Sequence, residues 1–598
     1  MRTFTQKLMV TCLIASFSYC LFSQSYSSNL DINNVNALIR PVPNQFWDLQ
    51  GQSMYFVPIG AGTSTIFTNT LWIGGFDESD NLHLAAEKFR QYGNDYIVGP
   101  LSYSDELFVA DGVENMWDTI WEVEISEIND FLLNFNNPDY EIPQSILDWP
   151  AHGNTELGQS HNLAPYFDIN EDGNYNPYDG DYPNIRGDKC FFFIFNDLCE
   201  HTESGGEALG VEVHGMAYAF NCPEDDAFNN SIFLNYKIIN RSQTTYTDTY
   251  IGLFTDFDIG YAKDDYIGCD VDRGSFYAYN GDDFDETAEG MIGFGENPPA
   301  QSATLLGGPY KDSDGIDNPQ LDGLGNQIVD ESINGLNFGD GIIDNERLGM
   351  TGFYYFNNSG TGANPATLDP TTPLEHYNYM RGYWIDNTSL LYGGTGHYSS
   401  TNTTSSNAKF MFPGNPSSDT HNWGTGGVEL GPWSEETESN SPGDRRGMCS
   451  TGPFTLTPND TAEMDIVFVY GVDINTKSSS NDVMKQNIDI IRDGFINNIT
   501  PDGTPFINTG IIRNSTNIII TPKIYPNPAN NFITIKGNTS EECSVEILDL
   551  KGSVLISKNM QKGANQFNID ISTLPEAVYF IKINQNNTIT TNKMIVIR

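Results

Sequence analysis

Cys190-Phe191-Phe192-Phe193-Ile194-Phe195 is an apolar run with no polar break. Successive side chains of a strand point to opposite faces, so a strand with one wet face alternates apolar with polar residues. A short unbroken run predicts a strand buried on both faces. Strand signals stay dense beyond it. V-E-V-H-G-M-A-Y-A-F (211–220) and S-I-F-L-N-Y-K-I-I-N (231–240) are longer and partly alternating, and T-Y-I-G-L-F-T-D-F-D (249–258) follows. P-F-T-L-T-P-N-D-T-A-E-M-D-I-V-F-V-Y-G (453–471) reads as strand, P-N-D turn, strand, which predicts a hairpin. The expected fold is mainly β: a large β-sandwich-like body with loop insertions, then a small Ig-like C-terminal β-sandwich.

Two helices are expected in the body. Met116 to Phe135 has apolar residues at helical spacing, with Trp117 and Trp121 four apart and read as core. Ser480 to Asn497 is amphipathic, with Val483, Met484, Asn487, Ile488, Ile491 and Phe495 on one side. The expected organisation is a signal peptide (1–24), an N-terminal mixed β region (25–150), an acidic β-rich body (151–510), a linker (511–521) and a terminal domain (522–598). Residues 296–350 form a Gly/Asp-rich insertion within the body. Arg2 and Lys7 before the apolar run Leu8–Phe22 carry the signal reading. No later stretch is apolar for long enough to span a membrane as a helix.

The formal charge is −50. The first 24 residues hold two basic and no acidic side chains, and residues 522–598 hold eight basic and six acidic. The remaining 25–521 therefore carry 19 basic against 73 acidic, or −54. So acidic a body repels itself unless cations are bound, and it lacks the basic face that nucleic acid needs. Its acids cluster with Asn and Gly. Asp168 to Asp179 reads D-I-N-E-D-G-N-Y-N-P-Y-D, with Asp168, Asn170, Asp172, Asn174, Asn176 and Asp179 at positions 1, 3, 5, 7, 9 and 12 and Gly173 at position 6. Calcium takes six to eight hard oxygen ligands, and a short loop supplies them by turning sharply at its centre. The spacing resembles the calcium loop of EF-hands and dockerin repeats. It departs from them at Asp179, where the EF-hand uses Glu, and in the missing flanking helices. The expected element is a structural calcium loop inside a β domain.

A second cluster is expected at Asp256, Asp258, Asp264 and Asp265, where the two-residue period sets Asp256 and Asp258 on one face. A third lies in the insertion, where K-D-S-D-G-I-D-N carries Asp312, Asp314 and Asp317 and G-D-G-I-I-D-N-E-R carries Asp340, Asp344 and Glu346. The expected cofactor is structural Ca2+.

Six cysteines follow residue 24, and Cys190 with Cys199, or Cys222 with Cys269, are candidate disulfides in an oxidising compartment. No H-E-x-x-H, P-loop or G-x-S-x-G is present. His201 and Glu203 with His214 are a candidate ligand set, set against an ordinary hydrogen-bonded role.

The tail has strand-like segments punctuated by Asn and Gly. Tyr525-Pro526-Asn527-Pro528, Asp549-Leu550-Lys551-Gly552, Ile571-Ser572-Thr573-Leu574, Val578-Tyr579-Phe580 and Lys593–Arg598 resemble the type A C-terminal sorting domain of the type IX secretion system. Ala577 departs from the usual Gly. The resemblance implies outer-membrane translocation and recognition of 522–598 by the secretion machinery. It further implies tail removal with anchoring to surface lipopolysaccharide, or release. W-I-G-G-F, P-A-H-G-N, G-D-Y-P-N-I-R-G-D, D-D-Y-I-G-C-D and Y-A-Y-N-G-D resemble blocks of uncharacterised cargoes of that system. The functional expectation is a secreted, calcium-stabilised surface protein with a structural or adhesive role. The alternative is a secreted hydrolase or glycan-binding protein with structural calcium.

Overall fold

The computed structural model describes residues 26–507 and 523–598, less Tyr92, 321–332, 359–362, 402–404, Ile474, Pro526, 537–542, 550–552, 561–565 and 586–587. The expected signal peptide and linker lie outside the described residues.

The body is a sandwich of two antiparallel sheets. The larger runs in the order Asp265–Asp270, Ser275–Asn280, Ala300–Gly307, Thr461–Gly471, Ser231–Asn240, Val211–Ala219, Lys189–Asn196, Ile97–Val98, with Trp121–Glu124 also pairing Lys189–Asn196. The smaller runs Gly352–Phe356, Arg445–Leu456, Tyr246–Phe257, Ile66–Phe76, Leu82–Ala86.

The Cys190–Phe195 run is buried on both faces, as its composition predicts. Phe191, Phe193 and Phe195 enter the core between the sheets. Cys190, Phe192 and Ile194 enter a second core on the outer face. Neighbouring strands split likewise: Ile466 and Phe468 point inward, and Val467 and Val469 outward. Gly215, opposite Phe193, leaves room for its ring; a Cβ there would meet it at 2.3 Å. The outer core is closed by helix Lys477–Ile496, through Met484, Ile488, Ile491 and Phe495, and by Ile128, Phe131, Trp149 and Tyr182 of the preceding region.

Two expectations are corrected. Residues 116–135 are not one helix. Val113–Trp117 and Ile125–Asn134 are helical, and Trp121–Glu124 between them is a strand on Lys189–Phe192. Glu124 then opens the second helix with a reciprocal capping box to Glu127. Sheet pairing outweighs the helical periodicity there. Nor do Arg445–Leu456 and Thr461–Gly471 form a hairpin, because they lie in opposite sheets. Their connection is an arch. Beside it runs a second arch, from Ser231–Asn240 to Tyr246–Phe257. Asn240 ties the two: its N–H donates to Asp460 O (3.0 Å), and its Nδ2 donates to Thr244 O (2.8 Å) and Leu456 O (3.2 Å).

The tail folds as a three-stranded and a four-stranded sheet around its own core of Ile533, Ile535, Val545, Ile547, Ile569, Ile581 and Met594. This is the expected seven-strand sandwich.

On the outer face of the large sheet, Asp465 is fully buried between two arginines. Its Oδ1 accepts from Arg186 (2.5 Å) and from Asn235 (2.8 Å), and its Oδ2 from Arg347 (2.8 Å). Burial alone would raise this carboxyl, but Arg186 and Arg347 hold it below the usual carboxylate range. Removing one partner strands the other charges in the interior. Asp465→Ala is expected to lower the unfolding free energy by about 3–5 kcal/mol in urea titrations.

Candidate metal centre

Strand register builds the site. Tyr246–Phe257 and Arg445–Leu456 are antiparallel, with Asp256 opposite Arg446 and Phe257 opposite Arg445. Asp258 and Asp444 each lie one residue beyond the last of these pairs. Asp256, Asp258 and Asp444 therefore share one face of the small sheet, and a carboxylate oxygen from each lies within 4.8 Å of the others. Asp256 and Asp258 were legible as a pair from their spacing; Asp444 was not.

The electrostatics are unfavourable for three bare carboxylates. Asp256 is 5% exposed, and its Oδ1 has no hydrogen-bond partner, with Arg446 Nε 3.7 Å away. Burial pushes the Asp256 carboxyl up to about 8, against the pull of Arg446. Burial and the Asp256 charge push Asp258 well above the usual range. Asp444 accepts from Asn358 (3.1 Å) and Arg446 (3.2 Å). Arg446 is the adjoining cation and is also drawn to Asp369 at 3.5 Å. The donor set is all carboxylate, which suits calcium, magnesium or manganese rather than zinc or copper. A buried oxygen with no donor is what such an ion would satisfy.

Asp264 and Asp265 do not join this trio. They sit beside Asp285, where Asp265 Oδ2 accepts from Ile259 N (3.0 Å) and Asp285 accepts from Tyr261 N (3.0 Å) and Phe294 N (2.6 Å).

Asp168–Asp179 folds as an exposed loop. Asp168 accepts from Asp172 N (3.2 Å) and Gly173 N (2.7 Å), and Asp172 accepts from Asn174 N (2.8 Å). Gly173 has φ 79°, the left-handed turn its position requires. Asn170 Nδ2 donates to Asp172 (3.0 Å), and Asn176 Nδ2 to Asp179 (2.6 Å). The loop is closed by Asp181, which the twelve-residue pattern omits. Asp181 is fully buried and accepts from Ile169 N and Asn176 N, both at 2.8 Å. His152 Nε2 accepts from Tyr175 N (2.7 Å), and His161, stacked on His152, donates to Gly173 O (3.1 Å).

The insertion's two acidic loops face each other. Asp344 accepts from Asp314 N and Gly315 N, both at 2.9 Å. Asp317 accepts from Gly339 N (2.9 Å) and Gly341 N (2.8 Å). Asp340 serves Ile342 N and Asn345. Asp312 leaves the cluster and binds Thr455 N and Oγ1, both at 2.7 Å.

The candidate set His201, Glu203 and His214 is divided among other partners. His214 bonds Glu212 at 2.8 Å. Glu203 accepts from Lys88 N (2.7 Å) and Arg90 N (3.0 Å). His201 bonds Leu84 O and Asp197 O at 2.7 Å each. Carbonyls only accept, so both ring nitrogens carry hydrogen and His201 is an imidazolium. The cysteines are corrected too: Cys190, Cys199, Cys222, Cys269 and Cys449 are all free thiols. The Trp117–Trp121 pair packs internally, with ring centroids 4.9 Å apart.

The fold defines an acidic β-sandwich body joined to a separate small β-sandwich. Residues 523–597 match the family described as the secretion system C-terminal sorting domain. The chain is thus a secreted or cell-surface cargo bearing a type IX C-terminal sorting domain. No curated protein matches it. Among solved structures, a polysaccharide lyase aligns at 7% identity and a TM-score of 0.18, covering 64% of this chain and 34% of its own. Among the described residues, no helix is long and apolar enough to cross a membrane.

Burial opposes charge on His201, and Asp197 and Asp95 outweigh it, so its pKa is raised. The stability it contributes is complete below the ordinary imidazole value of about 6.5 and is lost as pH rises through the higher folded value. Between about pH 6 and about pH 9, the melting temperature of the native chain is expected to fall relative to that of His201→Gln.

Proposed function

We propose that this is a cation-stabilised structural or adhesive protein of the outer cell surface, and that the ion is calcium. The observation that carries the reading is the Asp256–Asp258–Asp444 trio, with its buried, donorless Asp256 oxygen. An ionised trio at neutral pH needs a compensating charge, and a divalent cation supplies it where Arg446 alone does not. Outside the cell calcium is plentiful, and an all-oxygen site selects hard cations. The Asp168–Asp179 loop and the facing Asp314–Asp317 and Asp340–Asp344 loops would add weaker, exposed sites by reorienting their carboxylates. In this reading the sorting domain brings the body to the outer face of the outer membrane, where tail processing leaves it attached to lipopolysaccharide or releases it.

The experiment is elemental analysis of the purified chain with melting curves in calcium and in chelator. Bound calcium is expected, with a lower melting temperature after chelation. At a calcium concentration one hundred times Kd the stabilisation is about 2.7 kcal/mol. Asp258→Asn is expected to remove most of the calcium response and to raise the melting temperature in chelator, because it relieves repulsion. No bound divalent ion, together with identical melting in both conditions, would sink the proposal.

A further inference from the structure

Behind the helix Pro373–Arg381, three loops bring Asn364, Asp386, His397 and Ser399 together. His397 is 2% exposed, while Ser399 lies at the surface. The His397 Nδ1 is 2.8 Å from Ser399 Oγ, and Nε2 is 3.1 Å from Asp386 Oδ2.

The tautomer follows from the partners. Asn364 Oδ1 accepts from Ala366 N at 3.0 Å, which fixes that amide and turns Nδ2 toward His397. Nδ1 therefore meets Asn364 Nδ2 (2.9 Å) and the Ser399 N–H (3.3 Å), both of which only donate. Nδ1 must hold a lone pair, and the hydrogen sits on Nε2, facing the Asp386 carboxylate. Asp386 is itself held, since Oδ1 accepts from Thr388 N (3.0 Å) and Oγ1 (2.6 Å) and leaves Oδ2 for the histidine. Gly396, at φ 78°, fixes the loop before His397, because its carbonyl accepts from Trp384 Nε1 at 3.0 Å.

A hydroxyl, a base whose unprotonated nitrogen lies 2.8 Å from it, and a carboxylate orienting the base are the parts of an activated serine nucleophile. The two ring nitrogens exchange the roles they have in chymotrypsin-like triads. We infer that Ser399 and His397, positioned by Asp386, form a surface site that hydrolyses carboxylic esters. Ser399 Oγ adds to the ester carbonyl carbon as its proton passes to Nδ1. Collapse of the adduct breaks the carbon–oxygen bond to the alcohol, which leaves with that proton. Water then adds to the acyl carbon, again giving its proton to Nδ1. The acid departs and the serine oxygen recovers the proton. Asn364 Nδ2, 2.8 Å from Ser399 Oγ, holds the serine oxygen beside the ring. Tyr398, 52% exposed and beside the His397 ring at 4.3 Å, offers an apolar edge to the acyl or alcohol group. The inference is independent of the cation reading, because it uses none of those carboxylates.

The test treats the full chain with a fluorophosphonate probe, maps the label by peptide mass spectrometry and follows hydrolysis of p-nitrophenyl acetate. Labelling confined to Ser399, with turnover of the ester, is expected. Ser399→Ala, an exposed change that leaves folding intact, is expected to abolish both. His397→Gln is expected to slow labelling by at least about 100-fold. Asp386→Asn is expected to slow it as well, with partial rescue by Asp386→Glu, which a merely structural role would not give. An unlabelled native chain, or labelling that survives Ser399→Ala, overturns the inference.

Discussion

A sheet buried on both faces must be covered twice, and that requirement organises the body. Lys189–Asn196 and its neighbours present aromatic and aliphatic side chains in both directions. The small sheet covers one side. The helix Lys477–Ile496 and the segments around Ile128, Trp149 and Tyr182 cover the other. The two arches at Asn240 and Asp460 carry the chain directly between the sheets, and the covering helix follows Thr461–Gly471 in the chain. At roughly 25 cal/mol per Å² of apolar surface, aromatic strands buried on two faces supply most of the driving force, and polar groups must then conform to that packing.

The acids sort by how they conform. Asp95, Asp181, Asp197, Asp285 and Asp419 each accept at least two backbone N–H groups, so their charge satisfies donors that would otherwise be left unmet. These five carboxylates thus serve the backbone. Asp256 is different: it is buried, and its Oδ1 has no donor. Asp264 and Asp265 Oδ1 share that lack of a donor, and what marks the small-sheet trio is that its three carboxylates also lie within 4.8 Å of one another.

The sequence made the strands legible where composition is decisive. Unbroken Phe191–Phe195 and the rhythm of the tail both translate into what is observed, and so does the Met484–Ile488–Ile491–Phe495 stripe. It misled where local pattern and long-range pairing disagree. Trp117 and Trp121 sit at helical spacing, yet Trp121 joins a strand on Phe192. Leu456 and Thr461 flank a good turn, yet the strands go to different sheets. Asp258 was readable as a candidate ligand and Asp444 was not, because only the pairing of distant strands brings them together. For the same reason Asp386, Asn364 and Ser399 gave no motif: each sits in its own irregular loop, and His397 is the sole hint.

The arches also set an order of assembly. Lys189–Asn196, Val211–Ala219 and Ser231–Asn240 follow one another in both chain and sheet, so they can pair as soon as they exist. Tyr246–Phe257 instead pairs backward with Ile66–Phe76 and forward with Arg445–Leu456. Such distant pairings close slowly, after the local ones. Asp258 and Asp444 meet only at that last closure. The trio is therefore a mark of maturity: a half-folded chain has no such pocket, and capture of an ion there would lock in the step that finishes the body.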